Sequence, residues 1–194
     1  GYAYNAILCH NYDDLAGMFQ ILPVLAYSDI FCELTKAKKV QANYYQDLHG
    51  TRHQELFIKL SFPTPLPKEI SCSGNGCYFT GKENVGTLRV PLYEEEMKYF
   101  YSNYKDYYYL PLEDVAIHKS IASFVDKEHR VQARAQTCYT RKYSSYLPQW
   151  EVLFEPFFKR DYKSPEIFFE ITDSFKQDRK AFQMYALHIL KKMI

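Results

Sequence analysis

The residues best suited to chemistry crowd into one stretch, from Lys98 to Lys142, where Tyr, Lys, Asp, His and Arg are interleaved. Lys105, Asp114, His118 and Arg134 would form a polar cluster if folding brought them together. A carboxylate and an imidazole are common general acid–base partners. Asp114 and His118 are four residues apart, so on a helix they pair. A capping carboxylate with a partly buried, ion-paired His accounts for the same spacing. No nucleophile–base spacing and no cofactor loop accompanies the group, so a small-molecule enzyme is the least supported class. Arg130, Arg134, Arg141 and Lys142 suit phosphate contacts, and Tyr107, Tyr108 and Tyr109 suit base stacking.

The local pattern predicts how these residues are positioned. Pro111 has its φ preset for a helix start, and Glu113 and Asp114 place negative charge at the positive end of the helix dipole. Ile117, Ile121, Phe124 and Val125 then recur at helical spacing, which predicts a central helix. From Val131 to Thr140 apolar and polar residues alternate with period two, which predicts a strand.

The N-terminal 30 residues predict a helix with Leu15, Met18, Phe19, Leu22, Leu25 and Ala26 on one face, kinked or ended at Pro23. Within it, His10, Asn11, Tyr12, Asp13, Asp14 and Leu15 resemble the last motif of the DEDD-type ribonuclease-H-like 3′–5′ exonuclease superfamily. The resemblance implies that His10 occupies the proton-accepting position and Asp14 the metal-ligand position. A carboxylate is a hard oxygen ligand for Mg²⁺ or Mn²⁺, and two such ions clamp the attacking and leaving oxygens of a phosphodiester. The superfamily's Asp-x-Glu motif and second Asp belong earlier in the chain and are absent from this sequence. The resemblance therefore implies a chain that starts at the tail of an exonuclease domain, has no cofactor of its own, and does not cut in isolation. The plainer alternative is a helix start with Asp13 or Asp14 as cap. The layout of NYKDYYYLP, EDVAIHKSIASFVDK and TCYTRK is similar to C-terminal regions of bacterial ribonuclease-H-like proteins, and this similarity implies no activity for them.

Elsewhere the sequence speaks mainly of fold. Val40, Ala42 and Tyr44, a turn at His49-Gly50, and alternation from Glu55 to Phe62 predict a hairpin. Pro63 to Pro67 predicts an extended linker. Gly74-Asn75-Gly76 predicts a tight turn, and Cys77–Thr80 with Thr87–Val90 predicts paired strands. Cys72 and Cys77 are spaced too widely for a zinc knuckle and read instead as small hydrophobes opposed across a hairpin. No Lys-Ser/Thr follows the Gly-rich turn at a helix start, so it is not a phosphate loop. Glu94, Glu95 and Glu96 predict a solvated turn or helix start. Tyr143 to Ser164 predicts a loop whose Trp150, Phe154, Phe157 and Phe158 either cap a core or make an exposed patch for a partner. Ile167–Ile171 predicts a short strand. Asp173 or Ser174 caps a final helix with Phe175, Phe182, Ala186, Ile189 and Met193 as its buried stripe.

With 194 residues, a formal charge of +1 and 18% aromatics, the chain has room for a real core and carries no global basic field. Any basic site must be local. No apolar run approaches membrane-spanning length, the N-terminus lacks a signal-peptide pattern, and the five cysteines read as reduced thiols, so a cytoplasmic protein is expected. Gly1 in place of Met reads as a cleaved or trimmed chain. The expected fold is α+β, a mostly antiparallel sheet with a central helix and helices at both termini. Residues 1–30 are expected as its first helix or as the remnant of an upstream ribonuclease-H-like domain, and residues 31–194 as one α+β domain. The first expectation for function is an accessory, non-catalytic module that positions single-stranded nucleic acid, with the upstream domain as partner. The alternative is a protein-interaction or structural module.

Overall fold

The computed structural model describes residues 2–32 and 35–193. Helix α1 (Tyr2–Ile21) runs through a 3-10 turn at Leu22–Leu25 into the single-turn α2 (Ala26–Asp29). Pro23 ends regular helix there, because it has no N–H to donate and its φ is fixed. Strands β1 (Lys36–Gln46), β2 (Arg52–Ser61), β3 (Ile70–Gly74), β4 (Cys77–Lys82) and β5 (Val85–Phe100) follow. Next come β6 (Tyr107–Leu110), β7 (Val115–His118), the single-turn α3 (Lys119–Ala122), β8 (Val131–Gln132) and β9 (Tyr139–Gln149). Strands β10 (Phe157–Phe158) and β11 (Ile167–Glu170) lead to helices α4 (Asp173–Gln177) and α5 (Arg179–Met193). The strand pairs described here are antiparallel, and helices stand at both ends, so the fold is the expected α+β.

The chain divides into two compact units, residues 1–90 with 178–194, and residues 91–177. In the first, the strand order is β1-β2-β5-β4-β3. Leu56, Ile58 and Leu60 of β2, Phe79 of β4, and Leu88 and Val90 of β5 are buried, and α5 packs on β1, β3 and β4 through a face that includes Tyr185, Ala186 and Ile189. Burying each large apolar side chain contributes about 1.5–3 kcal/mol. Asn75 and Gly76 both have positive φ, at 53° and 75°, the geometry of a two-residue hairpin turn that splays neither strand. The Asn75 amide donates to the Lys192 carbonyl at 2.8 Å, satisfying one of the orphan acceptors at the end of α5. The Asp178 carboxylate caps its other end, accepting from Lys180 N and Ala181 N.

In the second unit, β5 pairs with β9, β9 with β11 and β11 with β10, around a core of Met97, Tyr146, Phe158 and Phe168. A separate three-stranded sheet has the order β7-β6-β8.

Several local expectations are corrected. The central helix is reduced to α3. Asp114, at φ 51°, reverses the chain after Leu110, so that Val115–His118 pairs back on Tyr107–Leu110 as a hairpin. Ile121 and Phe124, placed on a buried helical face by their spacing, are exposed. The strand expected from Val131 to Thr140 is split into β8 and the first two residues of β9. A turn at Arg134–Thr137 interrupts it, closed by a bond from Thr137 N to Arg134 O. Glu94–Glu96 lie within β5, opposite Tyr143–Ser145 of β9, so neither an acidic turn nor a loop starting at Tyr143 is present. Cys72 pairs with Phe79 and Cys77 with Gly74, so the two cysteines do not face each other. Thr172, rather than Asp173 or Ser174, accepts from Phe175 N at α4. Asp13 and Asp14 lie inside α1 rather than at its start.

Candidate nucleic-acid interface

In the second unit, Tyr107, Tyr108, Tyr109 and Leu110 form β6 because aromatic residues suit a half-buried pleat, whose alternation sends Tyr107 and Tyr109 to one face and Tyr108 to the other. Tyr107 stacks on Tyr101, with ring centroids 4.8 Å apart and 16° between planes, and meets the His118 ring edge-on at 5.3 Å. On the opposite face the Arg130 guanidinium lies 4.9 Å from the Tyr108 ring centre, and it also donates to the Ala122 carbonyl. Arg134 is exposed on the turn that follows β8. These contacts put a stacked tyrosine pair on one face of the small sheet and a single guanidinium–tyrosine pair on the other, with Arg134 on the turn that follows.

The remaining basic candidates are already engaged. Arg141 lies 3.6 Å from Asp114 and 3.7 Å from Glu96, and Lys142 lies 2.7 Å from Glu170. Burial raises the Glu170 pKa, but hydrogen bonds from Lys142 and Ser144 outweigh it and leave the carboxyl below its ordinary value. Both cations must give up an intramolecular partner before they can meet a phosphate.

The expected polar cluster is not assembled. Asp114 sits in the turn before β7 and His118 at that strand's far end, roughly 13 Å away at about 3.3 Å per residue. Instead, Asp114 Oδ1 accepts the hydroxyls of Tyr109, at 2.6 Å, and Tyr139. Those two bonds, with Arg141 and Lys98 nearby, hold its carboxyl below the ordinary value. Burial and the bond to Asp114 push the Tyr139 phenol well above its own. Neither group is poised to exchange a proton near neutral pH. His118 caps α3, accepting from Ser120 N at 3.3 Å. Lys105 lies in a 3-10 turn before β6.

In the first unit, His10 and Asp14 are one turn apart on α1, with Nδ1 and Oδ2 3.4 Å from each other and both side chains exposed. Among the described residues no group of three His, Cys, Asp or Glu is arranged to hold a metal ion. Asp14 offers one carboxylate, so these residues do not by themselves fit Mg²⁺ or Mn²⁺. Cys77 and Cys138 are buried, which pushes their thiols up to about 12 and about 11 and keeps them protonated. Among the described residues no helix is long and apolar enough to cross a membrane.

One feature of the first unit is not visible in the sequence. The sheet face opposite α5 carries Lys39, Gln41 and Asn43 of β1, Glu55, Phe57 and Lys59 of β2, Thr87 and Arg89 of β5, and Tyr78 of β4. The alternation in β2 signalled an outward face. Which residues of four strands share that face was settled only by register. No family model, curated protein or solved structure matches this chain.

Proposed function

We propose that this chain is an accessory, non-catalytic part of a ribonuclease-H-like 3′–5′ exonuclease and positions a single-stranded nucleic-acid end. The observation that carries the binding role is the Arg130 guanidinium over the Tyr108 ring, with Arg134 exposed at the other end of β8. Aromatic faces accept bases without sequence preference, and guanidinium groups add charge and stacking. The place in the nuclease rests on the likeness at His10–Asp14. In the parent protein these residues would act only together with the carboxylates of an upstream domain.

The test is fluorescence anisotropy with a labelled 12-nucleotide single strand across a salt series. Binding that weakens linearly in log–log terms, with a slope of about −0.7 per phosphate contact, is expected. The double variant R130A/R134A should bind more weakly with a shallower slope. A flat salt response, or no binding at high micromolar protein, rejects the reading.

A second reading, a protein-interaction module, is favoured by α1. Ile7, Leu8, Tyr12, Leu15, Met18 and Phe19 are all exposed along it, an apolar surface of the kind that marks contact sites. The patch expected around Trp150 does not serve: Trp150 is half-buried and Phe154 packs on Phe169 and Phe175.

A further inference from the structure

The open sheet face of the first unit has an ordered arrangement of charge and aromatic surface. Register places Lys39 opposite Lys59, and Lys59 reaches across to Thr87 at 2.7 Å, which makes a basic and polar row across three strands. The adjoining row is Gln41 opposite Phe57, then Arg89 opposite Tyr78. The Arg89 guanidinium is fixed between the two rings, 5.4 Å from the Phe57 centre and 5.8 Å from that of Tyr78. Glu55 holds it there, accepting from Arg89 Nε and Nη2. Glu55 belongs to the next row, opposite Asn43, and its charge is spent on Arg89, whereas Glu69 and Glu83 line a neighbouring pocket that shares Thr87. The lysines are left as the cations available to a ligand. Lys39, Gln41, Asn43, Phe57 and Lys59 line a shallow depression of about 230 Å³ at one side of the face.

We infer that this face is a platform for single-stranded nucleic acid, with Lys39 and Lys59 on phosphates and Phe57 and Tyr78 under bases. The occupant follows from complementarity. A polyanion alone would be served by lysines, and an apolar partner by aromatics. A basic row running beside an aromatic row suits a chain with charge on its backbone and flat rings at its side. Gln41 and Asn43 add amide donors and acceptors at the edge of the depression. The inference rests on the single-strand-binding reading above and adds a second binding surface to it.

The experiment compares K39E/K59E, F57A and R130A/R134A with the unsubstituted chain by anisotropy, using fluorescein-labelled dT12 and an abasic strand of the same length. Circular dichroism melting confirms that each variant is folded. Both lysines are exposed, so their replacement should leave the melt unchanged. K39E/K59E is expected to weaken dT12 binding at least tenfold and to flatten the salt slope by about 1.4, two contacts' worth. F57A is expected to weaken dT12 binding about fivefold or more while leaving the abasic strand unaffected. Unchanged affinity in K39E/K59E overturns the inference. So does equal binding of dT12 and the abasic strand, which would mean a plain polyanion site. If R130A/R134A alone abolishes binding, this platform is excluded and the proposed function stands. If the unsubstituted chain binds nothing, both are excluded.

Discussion

Tyr139 of β9 donates its hydroxyl to the carboxylate of Asp114, 25 residues earlier in the chain, and Tyr109 donates to the same oxygen. Asp114 holds a left-handed backbone conformation that non-glycine residues seldom adopt, at φ 51°. The turn between β6 and β7 is therefore tied to β9 by the Tyr139 phenol and to its own hairpin strand β6 by that of Tyr109.

Asp114→Asn keeps a residue that tolerates this φ but removes the charge. Asp114→Ala removes the acceptor as well and leaves the turn strained. Losing one hydrogen-bonded acceptor at a partly exposed site costs about 1 kcal/mol, so the Ala variant should fall further in urea denaturation. The pH dependence follows from the lowered carboxyl. A depressed folded-state pKa adds stability above the ordinary carboxylate value near 3.8, and that stability is lost as pH falls through the lower folded value. The Asn variant should thus differ from the unsubstituted chain at neutral pH and converge with it in strong acid. A gap that widens with acid would contradict the assignment.

Gly86 lies where the β4–β5 hairpin meets its own core. A Cβ there would come 2.5 Å from Phe62 Cζ and 2.8 Å from Phe79 Cε2. The two rings already pack edge to face at 6.2 Å, and both are buried. Gly86→Ala should cost about 1–3 kcal/mol by overpacking. An unchanged denaturation midpoint would show that the rings can move aside.

The thiols should separate by reactivity. Cys9 is exposed, whereas Cys77 and Cys138 are buried with thiols pushed up to about 12 and about 11. Thiolate is the reacting form, so at pH 8 an alkylating reagent should label Cys9 in minutes and leave Cys77 and Cys138 unlabelled until denaturant is added. Peptide mass mapping reads the outcome. Rapid native labelling of Cys77 would mean that the β3–β4 hairpin opens.

Leu15 and Phe19 lie on the exposed apolar surface of α1. The double variant L15K/F19K should keep the melting temperature of the parent, because both side chains are more than half exposed. It should lower any concentration-dependent light scattering, because the contact surface is gone. A marked drop in melting temperature would show that these side chains are packed.

Short-range chemistry made part of this structure legible in advance. Asn75-Gly76 specifies its hairpin because few residue pairs accept two positive φ angles, and the alternation from Glu55 to Phe62 specifies a strand because one face must be dry. The α+β class, the helices at both ends and the stop at Pro23 are readable for the same local reasons. Between Pro111 and Val125 the helical spacing of four apolar residues points to the wrong element, because spacing says nothing about whether a partner exists to bury them. β6, aromatic and β-prone, offers β7 a pairing edge, and that pairing won. The Asp114–Tyr139 bond, the engagement of Arg141 and Lys142 by acids, and the row of Lys39, Lys59 and Thr87 were decided by tertiary structure alone. Each depends on which strands become neighbours and in what register. Those choices are set by the sum of burial over the whole chain rather than by any window of it.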